Sequence, residues 1–217
     1  MKTLLNFSLL TLILISACKK ESPTSINQVA YQVTDIDGNK YDTVRIGSQV
    51  WLKQNLTTTH FRNGDSINEL VDSASWVNAQ SGAWCYPYGD SAGYGKLYNW
   101  YAATDLRGIA PSGWHVPSDS DWTVLMNYVN DNSGHLKSTN DWIYSNYEGD
   151  NLTGFTALPA GYRASGIYSY EGYYAFFWTT SSEYSNGIFF HLDYGDSFTT
   201  ESNFGKSFGF SIRCIQD

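Results

Sequence analysis

The sequence predicts an irregular, loop-rich α+β domain built on a small antiparallel sheet with few short helices. Three observations point there. Aromatic residues make up 17% of the chain and charged residues only 16%. That balance suits strands and pinned loops around a dense ring core, and not a helical bundle or a disordered chain. Several short runs alternate with the two-residue period of a strand, with turn residues between them. One segment alone carries a complete helix signature.

The chain opens with Met1-Lys2 and a largely apolar run from Leu4 to Ile15. A membrane-spanning helix needs about 20 apolar residues, so the run fits the apolar region of a signal peptide. It ends in Leu14-Ile15-Ser16-Ala17-Cys18, a string that resembles a bacterial lipobox. The resemblance implies cleavage before Cys18, lipid on the Cys18 sulfur, and a domain held on the outer membrane, with its face of that membrane left open. Residues 1–17 are then a leader, 18–30 a lipidated cysteine with a polar tether, and 31–217 one domain. The net charge of −8 argues against nucleic acid and against a polybasic membrane patch.

Within the domain, Tyr31-Gln32-Val33-Thr34 and Tyr41 to Ile46 read as a hairpin around Asp35-Ile36-Asp37-Gly38-Asn39. Gly47-Ser48-Gln49 turns the chain into Val50-Trp51-Leu52. Residues 57–95 are loop-rich, with helical spacing at Ile67, Leu70, Val71 and Ala74. Leu97 to Thr104 reads as a short helix with Trp100 and Tyr101 inward. The clearest helix starts at Ser118, a cap residue with Asp121 three positions on. Trp122, Leu125, Met126 and Val129 form its apolar face. Phe176–Thr179 and Ile188–Leu192 read as strands, and Phe208, Phe210, Ile212 and Cys214 share one face of a last strand.

With Cys18 lipidated, Cys85 and Cys214 remain. In an oxidising compartment they are expected to pair; the alternative is two separate buried thiols.

An ordered set of strings carries a family likeness. It includes Gln49-Val50-Trp51-Leu52-Lys53-Gln54-Asn55-Leu56, Tyr94-Gly95-Lys96-Leu97-Tyr98-Asn99-Trp100, Gly113-Trp114-His115-Val116-Pro117-Ser118, Leu136-Lys137-Ser138, Gly161-Tyr162-Arg163, Phe177-Trp178-Thr179-Thr180-Ser181 and Gly209-Phe210-Ser211-Ile212-Arg213-Cys214. Together they resemble the Fibrobacter succinogenes major paralogous domain, found on exported bacterial proteins. More distantly, Trp114 to Trp122, Trp178 to Ser181 and Gly209 to Cys214 are similar to landmarks of the formylglycine-generating enzyme fold. That likeness implies a C-type-lectin-like (sulfatase-modifying-factor-like) architecture.

The chemistry such a fold can carry is not marked in these residues. A copper-type oxidase of that fold would need a cysteine pair close in sequence near the C-terminus, and Cys214 stands there alone. His60, His115, His135 and His191 are scattered, and no two share ligand spacing. Two Gly-x-Ser-x-Gly strings occur, Gly89-Asp90-Ser91-Ala92-Gly93 in the loop-rich stretch and Gly205-Lys206-Ser207-Phe208-Gly209 at the start of the last strand, and neither reads as the strand-to-helix turn of a nucleophile elbow. Asp35 to Asn39 departs from a calcium loop in the place of its glycine and in Ile46 at the twelfth position, so a turn is expected. Asp193 and Asp196 flank another turn-like string. Asp42-Thr43-Val44, Asp72-Ser73-Ala74 and Asp90-Ser91-Ala92 resemble an O-glycosylation acceptor motif of Bacteroidota. No cofactor and no metal is expected.

Aromatic loops are the remaining lead. Trp76, Trp84, Tyr86 and Tyr88, and above all the cluster Tyr168, Tyr170, Tyr173 and Tyr174, sit among Gly, Ser and Asn residues. Flat rings beside amides and hydroxyls suit stacking on sugars or on protein partners. The expected function is a non-catalytic binding or adhesion module of the envelope, for glycans or an envelope partner. The alternatives are an accessory subunit of an envelope complex and, more distantly, an enzyme.

Overall fold

The computed structural model describes residues 31–88, 92–143, 149–195 and 199–217. Residues 1–30, on which the expected leader, the lipid site Cys18 and the tether fall, lie outside them, as do Asp90, Ser91 and Asp196. In chain order the strands are β1 (Gln32–Thr34), β2 (Lys40–Ile46), β3 (Gln49–Leu52), β4 (Asn68–Glu69), β5 (Ala83–Cys85), β6 (Leu97–Tyr98), β7 (Trp114–His115), β8 (Tyr162–Ala164), β9 (Ile167–Ser169), β10 (Tyr174–Glu183), β11 (Asn186–Asp193), β12 (Thr199–Gly205) and β13 (Ile215–Gln216). The α-helices are α1 (Ser73–Val77), α2 (Trp100–Ala103) and α3 (Asp119–Tyr128). Among the described residues no helix is long and apolar enough to cross a membrane.

The expected first hairpin forms, with Val33 opposite Tyr41. Its turn is built on Asp35. One carboxylate oxygen accepts the N–H groups of Asp37 and Asn39, both at 2.9 Å, and the other accepts the Asn39 amide at 2.8 Å and the Tyr41 hydroxyl at 2.7 Å. Gly38 supplies the positive φ of 84° that the turn needs. The string is a turn, as its residues predict. Strands β1-β2-β3-β13-β7 make a five-stranded sheet with antiparallel pairs throughout. The chain's end thus lies between β3 and β7. A second antiparallel sheet runs β10-β11-β12. Smaller sheets are β4-β5-β6 and the hairpin β8-β9.

Helix α3 begins where its cap residues place it. The Ser118 hydroxyl accepts the Asp121 N–H at 3.2 Å, and the Asp121 carboxylate accepts the Ser118 N–H at 2.8 Å. This reciprocal pair satisfies two of the donors a helix start leaves open. Trp122, Leu125 and Met126 are buried, and Val129 closes the helix.

Two large clusters form the core, on opposite faces of shared strands. Leu52, Phe176, Phe189 and Phe210 belong to the first. Trp51, Phe177 and Phe190 belong to the second, with Trp122 and Phe155. Strands β3, β10 and β11 therefore send alternate residues to each side, as the strand period dictates. A third, small cluster holds Trp76, Cys85 and Leu97.

Four expectations are corrected here. The stretch Leu97 to Thr104 is strand β6, where Leu97 pairs with Cys85, followed by α2. Asn99 makes the break: its side-chain oxygen accepts the N–H of Ala102 and of Ala83, both at 3.0 Å. Ala102 and Ala103 face inward, while Trp100 and Tyr101 are half-buried. The helical spacing over Ile67 to Ala74 is not used. Val71 and Ala74 are exposed, and α1 buries Trp76 instead. The final apolar alternation does not form a continuous strand. Gly209, Phe210 and Ser211 bridge singly to Arg163, Tyr98 and Phe177, because this segment runs between the clusters and both its faces are buried.

The Cys85–Cys214 bridge is the fourth. Both thiols are free and buried. They belong to different clusters, Cys85 to the small third one and Cys214 to the first. Burial pushes both thiols upward in pKa, Cys85 against the pull of Arg163 and Cys214 against that of Arg213.

Candidate functional site

The strings that carry the family likeness build the interior first. Arg213 is fully buried. Its guanidinium donates twice to the Asn55 side-chain oxygen, at 2.6 and 3.0 Å, and to the carbonyls of Lys53 and Phe155 at 2.6 Å. It lies 4.6 Å from the Phe155 ring. Burial draws its pKa down to about 9, so the group stays charged at neutral pH.

Arg163, also fully buried, donates to the carbonyls of Leu70 and Val71 at 2.5 and 2.6 Å and stacks on Trp76. Lys137 donates to the Asp193 carbonyl and Lys96 to that of Thr57. Cations held by carbonyls cross-link loops that have no sheet to hold them, because each buried carbonyl must find a donor. These residues shape the domain and are withdrawn from solvent.

Three histidine–carboxylate groups lie outside this interior among the described residues: His60 with Asp37, His115 with Asp217 and Asp121, and His135 with Asp150 at 2.9 Å. In the first, the Asp37 carboxylate meets His60 Nδ1 at 2.5 Å and accepts the Thr59 N–H at 2.5 Å and the Thr58 hydroxyl at 2.9 Å. The Thr59 hydroxyl also reaches His60 Nδ1, at 3.1 Å. A proton relay needs nucleophile and acid on opposite ring nitrogens; here both sit on Nδ1. The group clamps the first hairpin to the 57–60 loop.

Burial raises the pKa of Asp37, but the hydrogen bonds from Thr59, Thr58 and His60 outweigh it and hold the carboxyl at about 2. A depressed folded-state pKa contributes stability that is present above the ordinary carboxylate pKa and lost as pH falls toward the depressed value. Asp37→Asn should therefore lower the urea midpoint at neutral pH, and its gap from wild type should close between about pH 4 and pH 2. A gap that stays constant across that range would sink this assignment.

The second group is His115, with the Asp217 carboxylate at 2.8 Å on Nδ1 and Asp121 at 3.5 Å on Nε2. It ties the start of α3 to the chain end. Among the described residues no group of three or more metal-ligating side chains forms.

The tyrosines divide. Hairpin β8-β9 turns at Ser165 and Gly166, with positive φ at both, and its tip docks on Ser73, whose hydroxyl donates to the Gly166 carbonyl at 3.1 Å. Arg163 and Tyr168 pair across it. Tyr168 lies beside Cys85, with Arg163 5.1 Å and the Tyr88 ring 6.1 Å away. Burial and Cys85 raise its pKa to about 12. It is set apart from the other three candidates.

Those three join a chain of rings. Tyr170 contacts Tyr174 at 5.1 Å and Tyr162 at 5.6 Å. Tyr194 lies 6.5 Å from Tyr174 and 5.2 Å from Tyr173. Inward, Tyr174 stacks on Phe176 at 5.5 Å, and Tyr162 meets Phe176 and Phe208. The outer rings thus stand on core rings. Tyr170 is 52% exposed with a positive φ of 64°, a backbone cost that only tertiary packing sustains.

Polar groups edge this shelf. The Tyr174 hydroxyl donates to the Asp193 carboxylate, which together with burial raises the tyrosine's pKa to about 12. His191 packs against Tyr174 and Phe176, and burial lowers its pKa. Its Nδ1 is buried with no hydrogen-bond partner.

Sequence reading missed Tyr162, Tyr194 and His191 as members. His191 was within reach of it, since it stands two residues from Phe189 on the same strand face. By contrast Trp76 and Trp84 are core residues. Tyr86 packs edge-on against Trp84, and Lys96 lies over both rings.

The model of one protein family, described as the Fibrobacter succinogenes major domain, matches residues 44–216. No curated protein and no solved structure matches the chain.

Proposed function

The chain belongs to the Fibrobacter succinogenes major domain family, and from that premise we propose that it is a non-catalytic binding module of the cell envelope. Lipid on Cys18 would hold it at the outer membrane through the 18–30 tether. Its contact surface is the shelf of Tyr162, Tyr170 and Tyr174 with His191. The observation that carries this reading is a half-exposed ring, Tyr170, placed on a rigid ladder of rings that continues into the core. Preorganised rings lose little freedom on binding, which favours them as contacts.

The ligand class is an uncharged glycan. A pyranose offers an apolar face to a ring and hydroxyls to polar neighbours. Asp193 supplies such a neighbour. No lysine or arginine belongs to the ring set, so an anionic polymer gains nothing there. The architecture we propose is C-type-lectin-like. The antiparallel insertion of β13 between β3 and β7, which brings the first and last described strands into one sheet, supports it.

A second reading, docking of an envelope protein, is favoured by β12. It ends its sheet and pairs only with β11 among the described residues, and an open strand edge is a template for another chain.

Affinity electrophoresis in xylan, glucomannan and mixed-linkage glucan gels tests the first reading. We expect retardation in at least one gel. Tyr170→Ala should weaken it about tenfold, the scale of one lost contact ring, while Tyr86→Ala leaves it unchanged. No retardation in any gel, with one envelope protein co-purifying instead, would favour the second reading.

A further inference from the structure

We propose that a cleft of about 290 Å³ at the C-terminal end of α3 binds one N-acetylated hexose ring. It shares no residue with the tyrosine shelf, and it does not depend on the function proposed for that shelf. Its lining comes from the end of β2, the residues that close α3, and the loop around Leu152. The volume sits near the lower limit for small-ligand pockets, which suits a single sugar ring and not a polymer.

The floor is apolar. Ile46 and Val129 line it and belong to the second core cluster. One wall is the Tyr128 ring, which is 58% exposed yet held in place. It lies against Gly47, where φ is +60° and an added Cβ would stand 2.8 Å from the ring. An exposed ring fixed on backbone is a stacking surface formed in advance, and a pyranose offers it an apolar face. Leu152, also exposed, adds a second apolar side chain to the lining.

Most polar atoms of the rim are spent within the fold. His135 Nδ1 faces the Asp150 carboxylate at 2.9 Å and Nε2 faces Asn132, and the Thr153 hydroxyl donates to the His135 carbonyl at 2.7 Å. Arg45 also keeps an interaction within the fold and is left to it. Asn130 differs. Its N–H donates to the Asn127 carbonyl at 3.2 Å, but among the described residues its side chain has no hydrogen-bond partner. Asn130 and Asp131 end α3 with φ of 53° and 57°, where glycine would be the unstrained choice. Keeping asparagine there puts a carboxamide on the cleft, able to donate and accept at once.

These groups select the ligand by chemistry. An acetamido group also donates and accepts, so it can pair with the Asn130 carboxamide through two hydrogen bonds. Its methyl gains by leaving water for the apolar surface of Leu152 or Ile46. The hydroxyl of a plain hexose at that position has no methyl to bury. A ring face, a free carboxamide and an apolar rest for a methyl together describe an N-acetylated hexose.

Saturation-transfer NMR on the purified full chain tests this with N-acetyl-D-glucosamine and, as the counterpart without the acetamido group, D-glucose. We expect N-acetylglucosamine to bind at least about tenfold more tightly, the share of two hydrogen bonds and a buried methyl. Tyr128→Ala should remove binding of both sugars. Asn130→Gly should bring N-acetylglucosamine down toward the glucose level while leaving the melting temperature equal or higher, since it relieves the positive φ. That combination separates a contact residue from a structural one. Tyr170→Ala should leave N-acetylglucosamine binding intact, so the two sites succeed or fail independently. Equal binding of the two sugars overturns the proposal, as does absence of N-acetylglucosamine binding at about 10 mM, an Asn130→Gly or Tyr128→Ala variant that binds like wild type, or loss of binding in Tyr170→Ala.

Discussion

Arg213→Met should lower the stability of the domain by at least about 3–5 kcal/mol, the cost of breaking a buried charged network on one side. The replacement fills much of the space, so the loss would come from the partners. The Asn55 side-chain oxygen and the carbonyls of Lys53 and Phe155 all accept from this one guanidinium. Each buried acceptor left open costs about 1–3 kcal/mol. The partners come from two loops far apart in sequence, so the effect should be global. A drop in the urea midpoint, with an unchanged slope, is the expected result. A drop equivalent to less than about 1 kcal/mol, the worth of an ordinary hydrogen bond, would show that Arg213 is not a cross-link.

Trp122→Ala should cost about 3–5 kcal/mol, the range for deleting a fully buried large aromatic. Trp122 has no exposed surface and meets Trp51, Phe155, Phe177 and Phe190, the last stacked at 5.3 Å. Its Nε1 is buried with no hydrogen-bond partner, so the loss is one of packing alone. Trp122→Phe should therefore recover most of it, since no polar group is orphaned. Thermal unfolding of both variants reads this directly. An alanine variant that melts like wild type would mean that the second cluster does not hold α3.

The parts of the fold legible in the sequence are those set by local chemistry. Asp35 to Asn39 is a turn because its carboxylate closes on its own backbone. Ser118 and Asp121 mark α3 because the capping pair is complete within four residues. The rest depends on contacts distant in sequence. The Phe208 to Cys214 alternation reads as a strand, yet Gly209, Ser211 and Arg213 on the other face are buried too. Period two reports one apolar face, and says nothing about a segment enclosed on both. The cysteines failed as a pair for a similar reason. Their number, and the oxidising compartment that the lipobox-like string leads one to expect, favour a bridge, but the fold assigns them to separate clusters. For the candidate site, the sequence groups Tyr168, Tyr170, Tyr173 and Tyr174; the fold brings Tyr170 to Tyr174 and links Tyr173 to them through Tyr194. The β8-β9 hairpin sends Tyr168 to Arg163 and Cys85 instead. Tyr162 and His191 were hidden because strands distant in sequence bring them to the shelf.

Apart from Tyr162, which belongs to both, the family strings and the candidate surface are different sets of residues. Arg213, Arg163, Lys137 and Lys96 hold loops together from inside, while Tyr170, Tyr174 and His191 face outward at the rim of the first cluster. We propose that recognition takes place on that rim. The most direct measurement is a two-dimensional NMR titration of the folded protein, reading backbone amides and the His191 imidazole, with the polysaccharide fragment that binds best. Shifts concentrated at Tyr162, Tyr170, Tyr174 and His191 are predicted. Shifts confined to the β12 edge, or to residues 115–121 around His115, would contradict the account.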